Sequence, residues 1–229
     1  MKRKHNAFTL AEVLITLGII GVVAAMTLPI VVSKYQERVT VTKVKKIYSN
    51  LSNAYLLAKS KNGAPSSWAT TNSTSGNSYA ASRDLALPII QNMKLVKDCQ
   101  SDSGCFPDGS VKLLNNSYWN DNINTGTHRY KVMTIDGVSI AIHSYATSCD
   151  SVVGNLKDRC GNIYVNIDGS KAKENVNGKN FFQFFITNRG ITPIGSHVDY
   201  DEVISTCKNN GDNCTTWVLS QENLDYLKK

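Results

Sequence analysis

Residues 8–30 are almost wholly apolar, with Glu12 near the start of the run and a basic leader, Lys2, Arg3 and Lys4, directly before it. A helix rises ~1.5 Å per residue, so about 20 apolar residues cross a bilayer core of roughly 30 Å. Residues 13–32 meet that length without a charge. The apolar pattern then narrows rather than ends. Val44, Ile47, Leu51, Ala54 and Ala58 recur at spacings of three and four, with Tyr48 and Tyr55 beside them, the mark of a helix with one buried face. Asn62-Gly63 followed by Ala64-Pro65 supplies a C-terminal stop. The spacing therefore predicts one long helix over about residues 8–61, lipid-facing in its first half and packed on a domain in its second. Pro29 cannot donate to the carbonyl of Ala25, which predicts a kink or a locally melted turn there.

Residues 66–82 are rich in Ser, Thr, Asn and Ala and read as a loop pinned by Trp68 and Tyr79. Residues 130–135 and 138–145 flank Asp136-Gly137, a turn dipeptide expected between two antiparallel strands. Residues 163–167 and 181–187 are further strand candidates. The expected fold is α+β, a long N-terminal helix against an antiparallel sheet of about four strands. Its parts are a leader at 1–7, a membrane-spanning half-helix at 8–32, an amphipathic half at 33–64 and a globular extracytoplasmic domain at 65–229. The C-terminal CTTWVLSQENLDYLKK is expected to pack Trp217 and Tyr226 against the body.

The formal charge of +7 suggests nucleic acid until it is partitioned along the chain. The leader holds +3 and residues 34–61 hold +6, whereas residues 65–229 carry 15 basic and 16 acidic side chains. A nearly neutral domain lacks the concentrated basic face that nucleic acid demands, so nucleic acid is not an expected partner. The excess lies on the helix, where anionic lipid or neighbouring copies would meet it.

Six cysteines, Cys99, Cys105, Cys149, Cys160, Cys207 and Cys214, fall into three sequence-near couples. Six cysteines allow about 15 connectivities. Small local loops favour Cys99 with Cys105, Cys149 with Cys160 and Cys207 with Cys214, in an oxidising compartment. Free thiols and a zinc site are the competing readings, but no CxxC occurs, and His128, His143 and His197 show no ligand-like spacing to the cysteines. Lys34, Arg38, Lys43, Lys45 and Lys46 outnumber the leader's positive side chains, so orientation follows from the cysteines rather than from the positive-inside rule.

The seven-residue leader followed by FTLAEVLITLGIIGVVAAMTLP resembles the N-terminal processing segment of type IV pilins and type II secretion pseudopilins. The resemblance implies a pilin-like fold and a prepilin peptidase that cuts between Ala7 and Phe8 on the cytoplasmic side and N-methylates Phe8. Most members have glycine before the cut, where this chain has Ala7. Counted from Phe8, Glu12 is the fifth residue and Pro29 the twenty-second, as in the family. A lone carboxylate in lipid costs roughly 2.5–3.5 kcal/mol at a helix centre and less near its end, so it requires a partner. The family implies the Phe8 amine of a neighbouring subunit as that partner; the simpler alternative is a Glu12 that snorkels to the headgroups. The family also implies helix loosening between Gly21 and Pro29 in assembled filaments, and Gly21 with Ala25 forms a small-xxx-small pair. Asn166-Ile167-Asp168-Gly169, Asn175, Gly178, Asn180 and Phe181 resemble more loosely the loop of pseudopilin domains that can bind calcium. With Asn180 where an acid is expected, Asp168 is the sole weak candidate, and a hydrogen-bonded turn without cofactor is the expectation.

The implied function is a non-enzymatic structural subunit of a type II secretion pseudopilus or type IV pilus-like filament. It would sit as a single-pass protein of the inner membrane and assemble into a periplasmic or surface filament. The chain has no GxxxxGK[ST] phosphate loop, so an assembly ATPase and an inner-membrane platform would supply energy and guidance. A minor pilin serving DNA uptake or adhesion is the alternative. No GxSxG or HExxH supports an enzyme, and His143 reads as a strand-face residue. An ordinary signal peptide cut after Ala25 conflicts with Glu12 inside the apolar run.

Overall fold

A computed structural model describes residues 9–69 and 78–228. The chain forms two compact units, Met1–Val39 and Thr40–Lys229. Helix α1 (Leu10–Asn62) supplies the first unit and continues into the second. It ends as the sequence predicts, at Gly63 with φ +78°, whose N–H donates to the carbonyl of Lys59.

In the second unit a short 3-10 turn (Pro65–Ser67) leads past residues 70–77, outside the described residues, to α2 (Tyr79–Ile90). Seven strands follow: β1 (Leu95–Gln100), β2 (Tyr130–Thr134), β3 (Ser139–Ser144), β4 (Ser151–Val153), β5 (Leu156–Asn166), β6 (Phe181–Thr187) and β7 (Ile191–Pro193). They form one antiparallel sheet in the order β1-β2-β3-β5-β6-β7, with β4 paired to the start of β5. Helices α3 (Tyr200–Asn210) and α4 (Cys214–Gln221) close the chain. The sheet exceeds the expected four strands because β1 is broken by two register shifts and β4 and β7 are three residues each, too short for a period to register. Of the loop expected at residues 66–82, the start falls in the 3-10 turn, residues 70–77 lie outside the described residues, Ser78 caps α2 through its side chain and residues 79–82 are the first turn of that helix.

Alternation splits the sheet into two buried faces. On one, Tyr130 and Val132, Ile140 and Ile142, Ile163 and Val165, and Phe182, Phe184 and Ile186 meet the α1 stripe Val41, Val44, Ile47, Leu51, Ala54, Tyr55 and Ala58 in one core. Tyr48 stacks on Phe184, and the Tyr55 hydroxyl donates to the carbonyl of Thr187 at 2.8 Å. α2 seats Leu85 at Gly161, where an added Cβ would lie 2.7 Å from Leu85 Cδ2 and 2.2 Å from the His143 carbonyl. On the other face Phe106, Val111, Ile123 and Trp119 cover Ala141, Tyr164 and Phe181. With both faces covered, β6 is buried at all seven positions and shows no alternation.

The β2–β3 hairpin falls where Asp136-Gly137 predicts it, with three loop residues rather than two. The Thr134 N–H donates to the carbonyl of Val138, its carbonyl accepts from the Gly137 N–H, and its hydroxyl oxygen accepts from the Val138 N–H, while Gly137 carries the positive φ of +78°. All three expected disulfides are present: Cys99–Cys105, Cys149–Cys160 and Cys207–Cys214. Trp217 and Tyr226 pack edge to face, and Tyr226 donates its hydroxyl proton to the carbonyl of Gly178 at 2.5 Å.

Candidate functional site

The first unit holds the residues on which a membrane role turns. Its most apolar 18-residue window has a mean hydropathy of 2.5, and none of that window is buried within the chain. The helix start is a reciprocal cap. Thr9 donates both its N–H and its hydroxyl to Glu12 Oε2, each at 2.8 Å, and Thr9 Oγ1 accepts from the Glu12 N–H at 3.2 Å. Both carboxylate bonds go to Oε2; among the described residues Glu12 Oε1 accepts none. The T-x-x-E spacing that makes this cap is legible at the helix start in the sequence.

The other polar groups of this segment are satisfied within the helix, as hydrocarbon requires. Thr16 donates to the carbonyl of Glu12 at 2.8 Å and Thr27 to that of Val23 at 2.9 Å. At about 100° per residue, Glu12, Thr16 and Thr27 share one face and Gly18, Gly21 and Ala25 lie opposite. A Cβ added at Gly18 or Gly21 would meet nothing within 4 Å, so that face is open to close approach. The helix runs unbroken through Gly21 and Pro29 in the single chain, its flanking turns keeping their backbone bonds. Ala7 and Phe8 lie outside the described residues.

Residues 2–28 match the family model of the prokaryotic N-terminal methylation motif. Glu12 sits within that match, which ends directly ahead of Pro29. The motif and the long apolar helix fit a type IV pilin or pseudopilin. No curated protein and no solved structure matches it significantly.

In the second unit of this pilin-like chain, three helix lysines that the sequence assigns to lipid or neighbours turn to the domain's own acids. Lys43 pairs with Asp168 at 2.8 Å, Lys46 with Asp136 at 2.9 Å, and Lys45 with Glu222. Asp168, the calcium candidate, thus has an ammonium at its carboxylate, while its loop is tied by amides. Asn166 Oδ1 accepts from the Asp168 N–H, Asn175 Oδ1 from Asn166, and Asn180 Oδ1 from the Val176 N–H. Among the described residues no three His, Cys, Asp or Glu groups stand together as a metal cluster would need.

His143 lies buried on β3, its ring centroid 4.7 Å from that of His128 and 4.5 Å from that of Tyr145. Burial, then the nearby Arg129 and His128, lower its pKa to about 3, so it is neutral at physiological pH and a weak base. Lys131, fully buried on β2, donates to the carbonyls of Asn124 and Gly126 at 2.7 and 2.9 Å, and burial lowers its pKa to about 8. Lys131 thereby ties the loop ahead of β2 to the sheet.

Proposed function

We propose that the chain is a structural subunit of a type II secretion pseudopilus or type IV pilus-like filament, cut between Ala7 and Phe8 by a prepilin peptidase, N-methylated at Phe8, and assembled through its N-terminal helix. The observation that carries this reading is the methylation motif over residues 2–28 with Glu12 held by Thr9 and one carboxylate oxygen left open. Cleavage would create a new amine at Phe8, four positions before Glu12 in the sequence. An incoming subunit whose amine reaches the open Oε1 neutralises a charge in hydrocarbon; one misplaced along the axis leaves both charges unpaired. Axial register would thus be selected electrostatically, while Gly18, Gly21 and Ala25 let helices approach. Loosening between Gly21 and Pro29 would belong to the assembled state.

The chain performs no chemistry in this reading. Extraction from the inner membrane is driven by an assembly ATPase acting through a platform protein, and the disulfide-bonded domain resides outside the cytoplasm. The loop around Asp168 supports the secretion filament over a surface pilus by its resemblance alone. The test is the mature N-terminus of membrane-extracted protein, measured by mass spectrometry in cells with and without active prepilin peptidase. N-methylated Phe8 that depends on the peptidase supports the subunit; a terminus at Met26 refutes it.

A further inference from the structure

A groove runs beside the second half of α1, toward the first edge of the sheet. One part, of about 240 Å3, lies between Asn50, Asn53 and Leu57 of the helix and Met93 and Ile135 across from them. An adjoining part of about 200 Å3 continues past Lys46 and Ile47 to Val138, and Asn50 and Asp136 border both. Leu57 is 50% and Ile135 59% exposed, an apolar floor open to water. Asn50 and Asn53 are three positions apart on the helix, and among the described residues neither carboxamide has a hydrogen-bond partner. The rim is basic. Lys46 is matched by Asp136 and Lys61 donates to the neutral Asn92, while Lys94 has no ion pair among the described residues.

The complementary surface lies toward the other edge of the sheet, just after β7. Asp199, Tyr200, Asp201 and Glu202 are all exposed, with Tyr200 at 51%, and none of the three carboxylates has an ion pair among the described residues. His197, three residues earlier, packs edge to face on Phe185 of β6, whereas the groove is bordered by the turn between β2 and β3 and by the approach to β1. In the order β1-β2-β3-β5-β6-β7 the two surfaces fall toward opposite ends, so a copy does not fill its own groove. A patch and a counter-patch on different sides of one molecule make a head-to-tail contact that repeats without closing, as a filament requires.

We propose that the groove docks residues 199–202 of a second copy, with the Tyr200 ring between Leu57 and Ile135, its hydroxyl at the Asn50 and Asn53 carboxamides, and the carboxylates toward Lys61 and Lys94. Resting on the filament reading above, this contact sets which faces of the domains meet once the helices are in register. A tyrosine buries ~150–250 Å2 and carries a polar tip, which suits a groove of apolar floor and amide wall. The charged rim supplies partner choice.

The experiment uses the full chain in cells with its assembly machinery. The photoreactive residue p-benzoylphenylalanine replaces Asn53 or, in a second strain, Leu14 on the Gly18 and Gly21 side of the helix. After illumination, covalent dimers are mapped by peptide mass spectrometry. The expected result is capture of residues 199–202 of another copy by the probe at position 53. Tyr200→Ala or Asp201→Lys should lower that yield roughly tenfold, and Lys94→Glu should restore it to the Asp201→Lys chain. Homodimers from position 14, with capture at position 53 of another polypeptide, of a different segment or of nothing, overturn the docking and leave the filament standing. Homodimers from neither position overturn both.

Discussion

Replacing Thr9 by valine keeps the shape and the N–H at that position and deletes the hydroxyl. Two of the three bonds of the cap go with it: the 2.8 Å donation to Glu12 Oε2 and the 3.2 Å acceptance from the Glu12 N–H. Loss of an N-cap costs about 1 kcal/mol. The larger functional consequence is positional. With one donor left, the Glu12 side chain regains rotamer freedom that must be lost again when a neighbour's amine binds Oε1. Thr9→Val should therefore lower filament yield about tenfold at equal subunit level, while Thr9→Ser, which keeps the hydroxyl, should assemble near the unmodified level. Filaments sheared from cells and quantified against total membrane subunit provide the assay. Equal assembly by the Val and Ser variants would refute the claim that the hydroxyl orients the carboxylate. Glu12→Gln serves as the reference for complete loss of charge.

Three other outcomes concern the domain, each read on the full chain in detergent. The unfolded chain protonates His143 below its ordinary pKa of 6.5, whereas the folded chain resists until about pH 3. Stability should therefore fall as pH drops through that window, by at most about 5 kcal/mol and less after solvent screening, with His128 and His197, also lowered by burial, acting in the same direction. Denaturant midpoints that do not move between about pH 7 and about pH 4 would contradict this. Leu51→Ala, at a fully buried point of the α1 stripe, should cost about 2–5 kcal/mol in chemical unfolding, and a loss below about 1 kcal/mol would mean the helix is not bedded as described. The disulfides close loops with sequence separations of 6, 11 and 7. Removing Cys149 and Cys160 together should cost about 2–3 kcal/mol and lower the thermal midpoint by roughly 5–10 °C.

What could be read from the sequence was what repeats or what is chemically unusual. The α1 stripe, Glu12, the Asp136-Gly137 hairpin and the paired cysteines each leave a local mark that no neighbour can erase. Helix α2 left little, because Pro88 reads as a breaker; it sits in the last turn, where its missing N–H costs one bond. β5 begins at Leu156, seven positions ahead of its apolar run, because its charged first half is held by the short β4. Helices α3 and α4 are short, and their boundaries are set by Gly211 with φ +86° and the Cys207–Cys214 bridge rather than by periodicity. The ion pairs of Lys43, Lys45 and Lys46 were invisible for another reason: each partner lies 90 or more positions away in sequence, and only the packing of α1 brings them close.

None of the three disulfides reaches α1; all join residues between Cys99 and Cys214. The helix is therefore keyed to its domain by packing, by hydrogen bonds such as that of Tyr55, and by surface ion pairs, with no covalent lock. A pull along the helix would load its buried stripe in shear, with many contacts sharing the strain at once. The covalently stapled half would keep its shape while the seam between helix and sheet yields first. That seam is where a stretched filament would be expected to give way.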